Sequence, residues 1–145
     1  MNNGDIMSSV FNDIKLMHKK FGHDKWVQDN KDNKELLKKF LAFRIVKMMD
    51  EEMNELRSAT FVDDDAEGVV DSLIDLMVFA TSIIDALGVD GQKAWDAVYN
   101  ANMAKEPGIK PGRPNKFGLP DMIKKEGWIE PNHEGNTGLI GEILS

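Results

Sequence analysis

Apolar residues recur at helical spacing through most of the first hundred positions of the chain. The stripes that they form predict four helices, at about residues 5–21, 33–58, 66–87 and 91–105. Asn33 can cap the second helix, while Gly22 and Gly88 follow the first and third, where glycine commonly ends a helix. The expected fold class is therefore all-α, with a four-helix-bundle-like core.

The pattern changes beyond residue 106. All five prolines lie between Pro107 and Pro131, which predicts an irregular tail with at most one short helical turn, at residues 121–125. Apolar residues are nevertheless spread through this tail. We therefore expect a helical domain at residues 1–106 and an extension at 107–145 that packs on this core or on a neighbouring subunit. The alternative is a partly mobile tail.

The third predicted helix is apolar on nearly every side, which is typical of a buried helix. Asp71 and Asp75 nevertheless occur in it, four residues apart and therefore stacked on one side. Two buried carboxylates repel each other and lose their hydration, at a cost on the order of several kcal/mol unless they are paired. The chain has no lysine or arginine between Arg57 and Lys93. The pattern therefore predicts a divalent cation as the compensating charge.

The second predicted helix carries a matching acidic pair. Glu52 and Glu55 are three residues apart on one face, and Glu52 also continues the apolar stripe that runs through Met49. Carboxylate oxygens are the ligands that Mg²⁺ and Mn²⁺ prefer. Two neighbouring helices can therefore hold an ion between their acidic pairs, with Glu67, one turn before Asp71, as a further candidate. The alternative is that these acids form a solvated face.

The net charge and the composition narrow the range of functions that the chain can have. The net charge is −7, which repels phosphate backbones and argues against a nucleic-acid polymer as partner. The absence of cysteine excludes disulfides and fits a cytoplasmic protein, and no apolar run is long enough to predict a membrane span. A small anionic substrate would need local positive charge. Lys110, Arg113 and Lys116 form a basic stretch that can fold over a phosphate tail.

Two segments carry a resemblance to a known family: EEMNE at residues 51–55 and DSLID at residues 71–75. They resemble the all-α nucleoside triphosphate pyrophosphohydrolases, which include MazG-type enzymes, phosphoribosyl-ATP pyrophosphohydrolase and dimeric dUTPases. The signature of that superfamily is E-E-x-x-E on one helix and usually E-x-x-D on the next. Here Ser72 stands in place of the second glutamate, with Asp71 one position earlier. Further along, KPGRPNKFGLPDMIKKEGW resembles short, often phage-encoded members.

The resemblance implies metal-dependent hydrolysis between the α and β phosphates of a nucleotide, with Mg²⁺ as cofactor and Mn²⁺ as the alternative. The implied metal ligands are Glu52, Glu55, Asp71 and Asp75. Glu51 or Glu52 is implied as the group that activates water. The implied substrate contacts are His18, Asn102 and Lys105, to which the basic stretch adds Arg113 and Lys116.

We expect a (deoxy)nucleoside triphosphate as substrate, with a purine such as guanine, and a role in nucleotide-pool control. Phosphoribosyl-ATP is the alternative substrate. A non-catalytic helical interaction module is the alternative from another functional class. The apolar stripes exceed what one small bundle can hide and superfamily members assemble through such faces, so we also expect a homodimer or homotetramer.

Overall fold

Helices make up most of the chain that the computed structural model describes, which is residues 9–113 and 115–145. The helices are α1 (Val10–Phe21), α2 (His23–Asp29), α3 (Lys34–Ala42), a π-helical segment (Phe43–Met49), α4 (Asp50–Phe61), α5 (Ala66–Ala86), α6 (Gly91–Met103) and α7 (Gly138–Ile143). Two three-residue strands, β1 (Glu106–Gly108) and β2 (Asp121–Ile123), pair antiparallel. The predicted all-α fold class is confirmed.

Local capping explains where the helices begin and end. The Ser9 hydroxyl accepts a hydrogen bond from the Asn12 amide at 3.1 Å and caps the start of α1. The start predicted near residue 5 lies outside the described residues. Gly22 ends α1 with a φ of 77°, in the left-handed region that glycine adopts without strain. The Asn33 side chain caps α3 by accepting from the Leu36 amide at 3.1 Å, as predicted. Asp65 caps α5 in the same way.

The second predicted helix is confirmed over its whole length, but it is not α-helical throughout. The π-helical segment Phe43–Met49 separates α3 from α4, and the helix continues to Phe61. A π turn holds more residues than an α turn. It therefore changes the rotation of α4, and of the acids on it, relative to α3.

Three elements were not predicted: α2, α7 and the strand pair. The helical turn predicted at residues 121–125 is wrong, because Asp121–Ile123 is a strand whose central residue, Met122, lies opposite Pro107. Within β2 the two ends are half-buried and Met122 is exposed, which is the alternation of a strand. Three residues are too few for that alternation to be recognised in the sequence.

The chain forms two compact units. The first contains the described residues up to Gly91 together with Thr137–Ser145, and the second is Gln92–Asn136. In the first unit, α7 contributes to the core, since Ile143 is buried in a cluster with Leu37, Ile83 and Leu87. The division into domains predicted from the sequence, after residue 106, stays a prediction.

The expectation that α5 is buried on every side is wrong for the single chain. Four of its apolar side chains are between 48% and 61% exposed: Val70, Leu73, Ile74 and Met77. The helix contacts α4 and α1, and its buried positions include Ser72, Ser82, Ile83 and Ala86. These contacts leave one apolar face of α5 uncovered. Within the described residues, no single helix is long and apolar enough to cross a membrane.

Candidate functional site

The acidic site is built by α4 and α5, which are joined by only four residues and pack against each other. Burial, followed by the negative charges of Glu55, Asp75, Asp71 and Glu51, raises the pKa of Glu52 above its ordinary value. Each of the other three predicted metal ligands therefore lies near enough to Glu52 for its charge to act on that carboxyl group.

Glu52 also carries an unsatisfied atom. Its Oε2 is shielded from solvent and has no hydrogen-bond partner among the described residues. A buried, unpaired carboxylate oxygen is costly, since the protein replaces none of the hydrogen bonds that water would make. A cation at this position would supply the missing partner. Oxygen donors of this kind suit Mg²⁺ or Mn²⁺, so the chemistry of the donor set fits the expected metal.

The carboxylates do not converge on one point. Within residues 9–113 and 115–145, no three acidic or histidine side chains stand close enough together to hold a metal ion as they are placed. Asp71 and Glu55 are exposed, whereas Glu52 and Asp75 are half-buried. The expected burial of Asp71 is therefore wrong, because the helices that pack against α5 leave this side chain exposed.

Two further acids that the sequence singled out, Glu51 and Glu67, differ from the four predicted ligands. Glu51 is exposed and forms an ion pair with Lys47, one turn earlier, at 2.8 Å. Glu67 is exposed on the first turn of α5 and is not among the carboxylates that raise the pKa of Glu52. Of the two candidates for the fourth ligand, Asp71 is therefore the one that acts on Glu52.

His18 is a buried member of a hydrogen-bonded network between α1 and α5. Its Nδ1 lies 2.6 Å from the Asp85 carboxylate and its Nε2 lies 2.8 Å from the Ser82 hydroxyl. Burial alone would raise the pKa of Asp85, but the hydrogen bonds and charges of Lys15 and His18 outweigh it and lower that pKa. Both ring nitrogens of His18 are thus engaged within the protein, and its contact with a substrate stays a prediction.

The remaining predicted substrate contacts lie in the unit Gln92–Asn136. The Lys105 Nζ donates to the Asn102 side-chain oxygen at 3.0 Å, so the structure brings this predicted pair together. Arg113 and Lys116 are exposed in the loop between β1 and β2, and their contact with a phosphate stays a prediction. Sequence reasoning missed Lys124, whose ammonium lies against the ring of Trp128.

One comparison bears on the family. The family model for phosphoribosyl-ATP pyrophosphohydrolase matches residues 14–102, from α1 through both acidic helices and almost to the end of α6. This is more than half of the chain. The chain belongs to the phosphoribosyl-ATP pyrophosphohydrolase family. No curated protein and no solved structure matches it. Membership of this family confirms the resemblance seen in the sequence and supports a pyrophosphohydrolase that acts on a nucleotide, which disfavours a non-catalytic module.

Proposed function

We propose that this chain hydrolyses a (deoxy)nucleoside triphosphate to the monophosphate and pyrophosphate, with Mg²⁺ bound by Glu52, Glu55, Asp71 and Asp75. The observation that supports this most is the unsatisfied Oε2 of Glu52, a residue whose pKa is raised by burial and by four further carboxylates. The negative charge of this site would repel an anionic substrate unless a cation were bound with it.

The reaction needs few protein groups. Water attacks phosphorus, the P–O bond that joins the α and β phosphates breaks, and the proton of the water passes to a carboxylate as pyrophosphate leaves. The metal, when bound, neutralises the phosphates. Glu52 and Glu51 are the two candidates for the proton acceptor. Glu51 lies outside the proposed ligand set and can accept a proton once its ion pair with Lys47 opens.

Phosphoribosyl-ATP remains the second candidate substrate, and the description of the matching family favours it. The tail beyond residue 102 lies outside that match and resembles the short phage-type proteins, which favours a free triphosphate. Among free triphosphates we propose a purine nucleotide such as (d)GTP, and a role in nucleotide-pool control.

A panel of substrates tests the activity. Purified protein is incubated with Mg²⁺ and, in turn, the ribo- and deoxyribonucleoside triphosphates and phosphoribosyl-ATP, and the release of pyrophosphate and monophosphate is measured. We expect one substrate class to dominate. Glu52→Gln and Asp75→Asn should lower kcat by at least about 100-fold, since one metal ligand is worth several kcal/mol of transition-state stabilisation.

Glu67→Gln is the matched control, because it removes the same charge from an exposed position on α5 and should leave kcat within about twofold. If no member of the panel yields pyrophosphate, the proposal is wrong and the helical interaction module replaces it. If Glu52→Gln and Asp75→Asn retain full activity, the metal site is wrong even though the enzyme is real.

We propose in addition that the protein is a homodimer or homotetramer that associates through the uncovered face of α5. Beside this face lies an open cavity of about 540 Å³ whose lining is mostly apolar: Ile45, Met49, Asp50, Met53, Leu76, Met77 and Ala80. Exposed apolar groups on this scale favour association, because their burial removes them from water.

A further inference from the structure

Two lysine side chains lie against one indole ring in the unit Gln92–Asn136. The Nζ atoms of Lys105 and Lys124 are 5.1 Å and 4.7 Å from the centroid of the Trp128 ring. Both distances fall within the range of cation–π attraction. Because both distances are measured to one ring, the two positive charges share a single indole side chain.

The ring and both lysines are positioned by other contacts. The Nε1 of Trp128 donates to the carbonyl of Ala101 at 2.7 Å, which ties this part of the tail to α6. Lys105 is oriented by its hydrogen bond to the Asn102 side chain at 3.0 Å. Lys124 directly follows β2, whose pairing with β1 fixes the backbone at that point. The arrangement is therefore built by the fold of this unit.

Neither ammonium group forms an ion pair with a described residue. Within the described part of the chain, neither Lys105 nor Lys124 lies within ion-pair distance of a carboxylate. The adjacent Lys125, by contrast, pairs with Glu106 at 3.6 Å. Two uncompensated cations repel each other, and cation–π contacts at exposed sites are weak. An anion that contacts both ammonium groups would offset this repulsion.

We propose that Lys105, Lys124 and Trp128 form a binding site for a polyphosphate, in which each ammonium binds a different phosphate group. Two separated point charges match a ligand with at least two phosphates better than a monophosphate. The Asn102 oxygen faces Lys105, which leaves its NH₂ group as a further donor. That the natural ligand is the substrate's triphosphate or the pyrophosphate product rests on the proposed function, whereas the site itself does not.

Inorganic pyrophosphate is the probe. Its binding to the full chain is measured by titration calorimetry without divalent metal at one fixed ionic strength, alongside tripolyphosphate and orthophosphate. We expect Lys124→Gln and Lys105→Gln each to weaken pyrophosphate binding about tenfold, as expected for one charge-assisted hydrogen bond. Orthophosphate should bind at least about tenfold more weakly than pyrophosphate to the wild-type protein, for the same reason.

Lys125→Gln is the matched control. It removes the same charge at the next residue, and Lys125 already has an ion-pair partner in Glu106. It should leave pyrophosphate affinity within about twofold. Lys124→Arg keeps the charge and the ability to lie on the ring, and should retain the wild-type affinity. Circular dichroism of each variant verifies that the fold is intact.

The proposal fails if wild-type protein does not bind pyrophosphate, if Lys124→Gln binds it as wild type does, or if Lys125→Gln weakens it equally. The substrate panel is run on the same proteins. Pyrophosphate binding that depends on Lys124, with no hydrolysis, overturns the proposed function and leaves this site standing. With hydrolysis present, a raised KM in Lys124→Gln identifies the substrate's triphosphate as the ligand, and a loss of inhibition by pyrophosphate alone identifies the product.

Discussion

The fold places the Glu52 side chain in an environment that disfavours its ionised form. Helix α4 sets it half-buried beside α5, where neighbouring carboxylates raise its pKa and one of its oxygens has no partner. Without metal, the folded protein binds a proton at Glu52 more readily than the unfolded chain does. The stabilising effect of that proton is complete below the unfolded pKa and is lost as the pH rises through the folded pKa.

The first prediction follows from that sign. In metal-free protein at pH 7, Glu52→Gln should raise Tm by a few degrees, since the ionised carboxylate destabilises the fold there. Near pH 4 the difference in Tm between Glu52→Gln and the wild type should be smaller. Thermal unfolding with EDTA measures it, with exposed Glu67→Gln as a control that leaves Tm unchanged. Added Mg²⁺ should stabilise the wild type more than Glu52→Gln. A lower Tm for Glu52→Gln in EDTA would contradict this account.

The acidic cluster could be predicted from the sequence because Asp71 and Asp75 interrupt an apolar helix that has no nearby base. The difference in burial between Asp71 and Asp75 could not be predicted, because the helical pattern does not indicate which faces of α5 are covered in the single chain. The pairing of Lys124 with Trp128 and Lys105 was also beyond the sequence. It depends on how an irregular tail folds back on α6, which the spacing of apolar residues in the sequence does not predict.

At the scale of elements, the helices that could be predicted are those with a long apolar stripe and a local stop signal. Asn33 and Gly22 act within one turn of their own backbone, so their effect can be read from neighbouring residues. The π-helical segment Phe43–Met49 has no such signal, because its side-chain pattern fits an ordinary α-helix. The strands β1 and β2 pair across twelve intervening residues, a contact that neither strand specifies alone.

The contact between α1 and α5 carries the second prediction. Asp85 accepts from both Lys15 and His18, and its side chain is only 11% exposed. Asp85→Asn should lower the free energy of unfolding at pH 7 by about 1–3 kcal/mol, because it leaves polar groups in this contact imperfectly paired. Since the pKa of Asp85 is lowered, this contribution is present above its unfolded pKa and is lost as the pH falls through its folded pKa.

Urea unfolding at pH 7 and at acid pH measures this effect. The control is Asp29→Asn, which breaks the exposed ion pair of Asp29 with Lys25 and should cost no more than about 0.5 kcal/mol. Equal losses in the two variants would show that the buried network adds nothing to an ordinary surface pair. A loss in Asp85→Asn that stays the same at acid pH would contradict the assigned pKa direction.

The whole molecule leaves an apolar face of α5 in solvent, and this face yields the third prediction. Leu73 and Met77 are 48% and 49% exposed and belong to the same face, so Leu73→Glu and Met77→Glu each place a charge where a second copy would bury apolar surface. Sedimentation velocity at about 10 µM should give the wild type at least twice the 16.3 kDa chain mass. Both variants should sediment as monomers with unchanged helical content.

Leu16→Glu is the matched control for this face, because Leu16 is an apolar residue on α1 that is 67% exposed, and its replacement should leave the assembly intact. A monomeric wild type, or variants that keep the wild-type mass, would show that α5 is not the contact surface. The activity of the monomeric variants adds a further distinction. If each still releases pyrophosphate at the wild-type rate, one chain supplies a complete site; if dissociation abolishes the activity while the helices remain, the site depends on assembly.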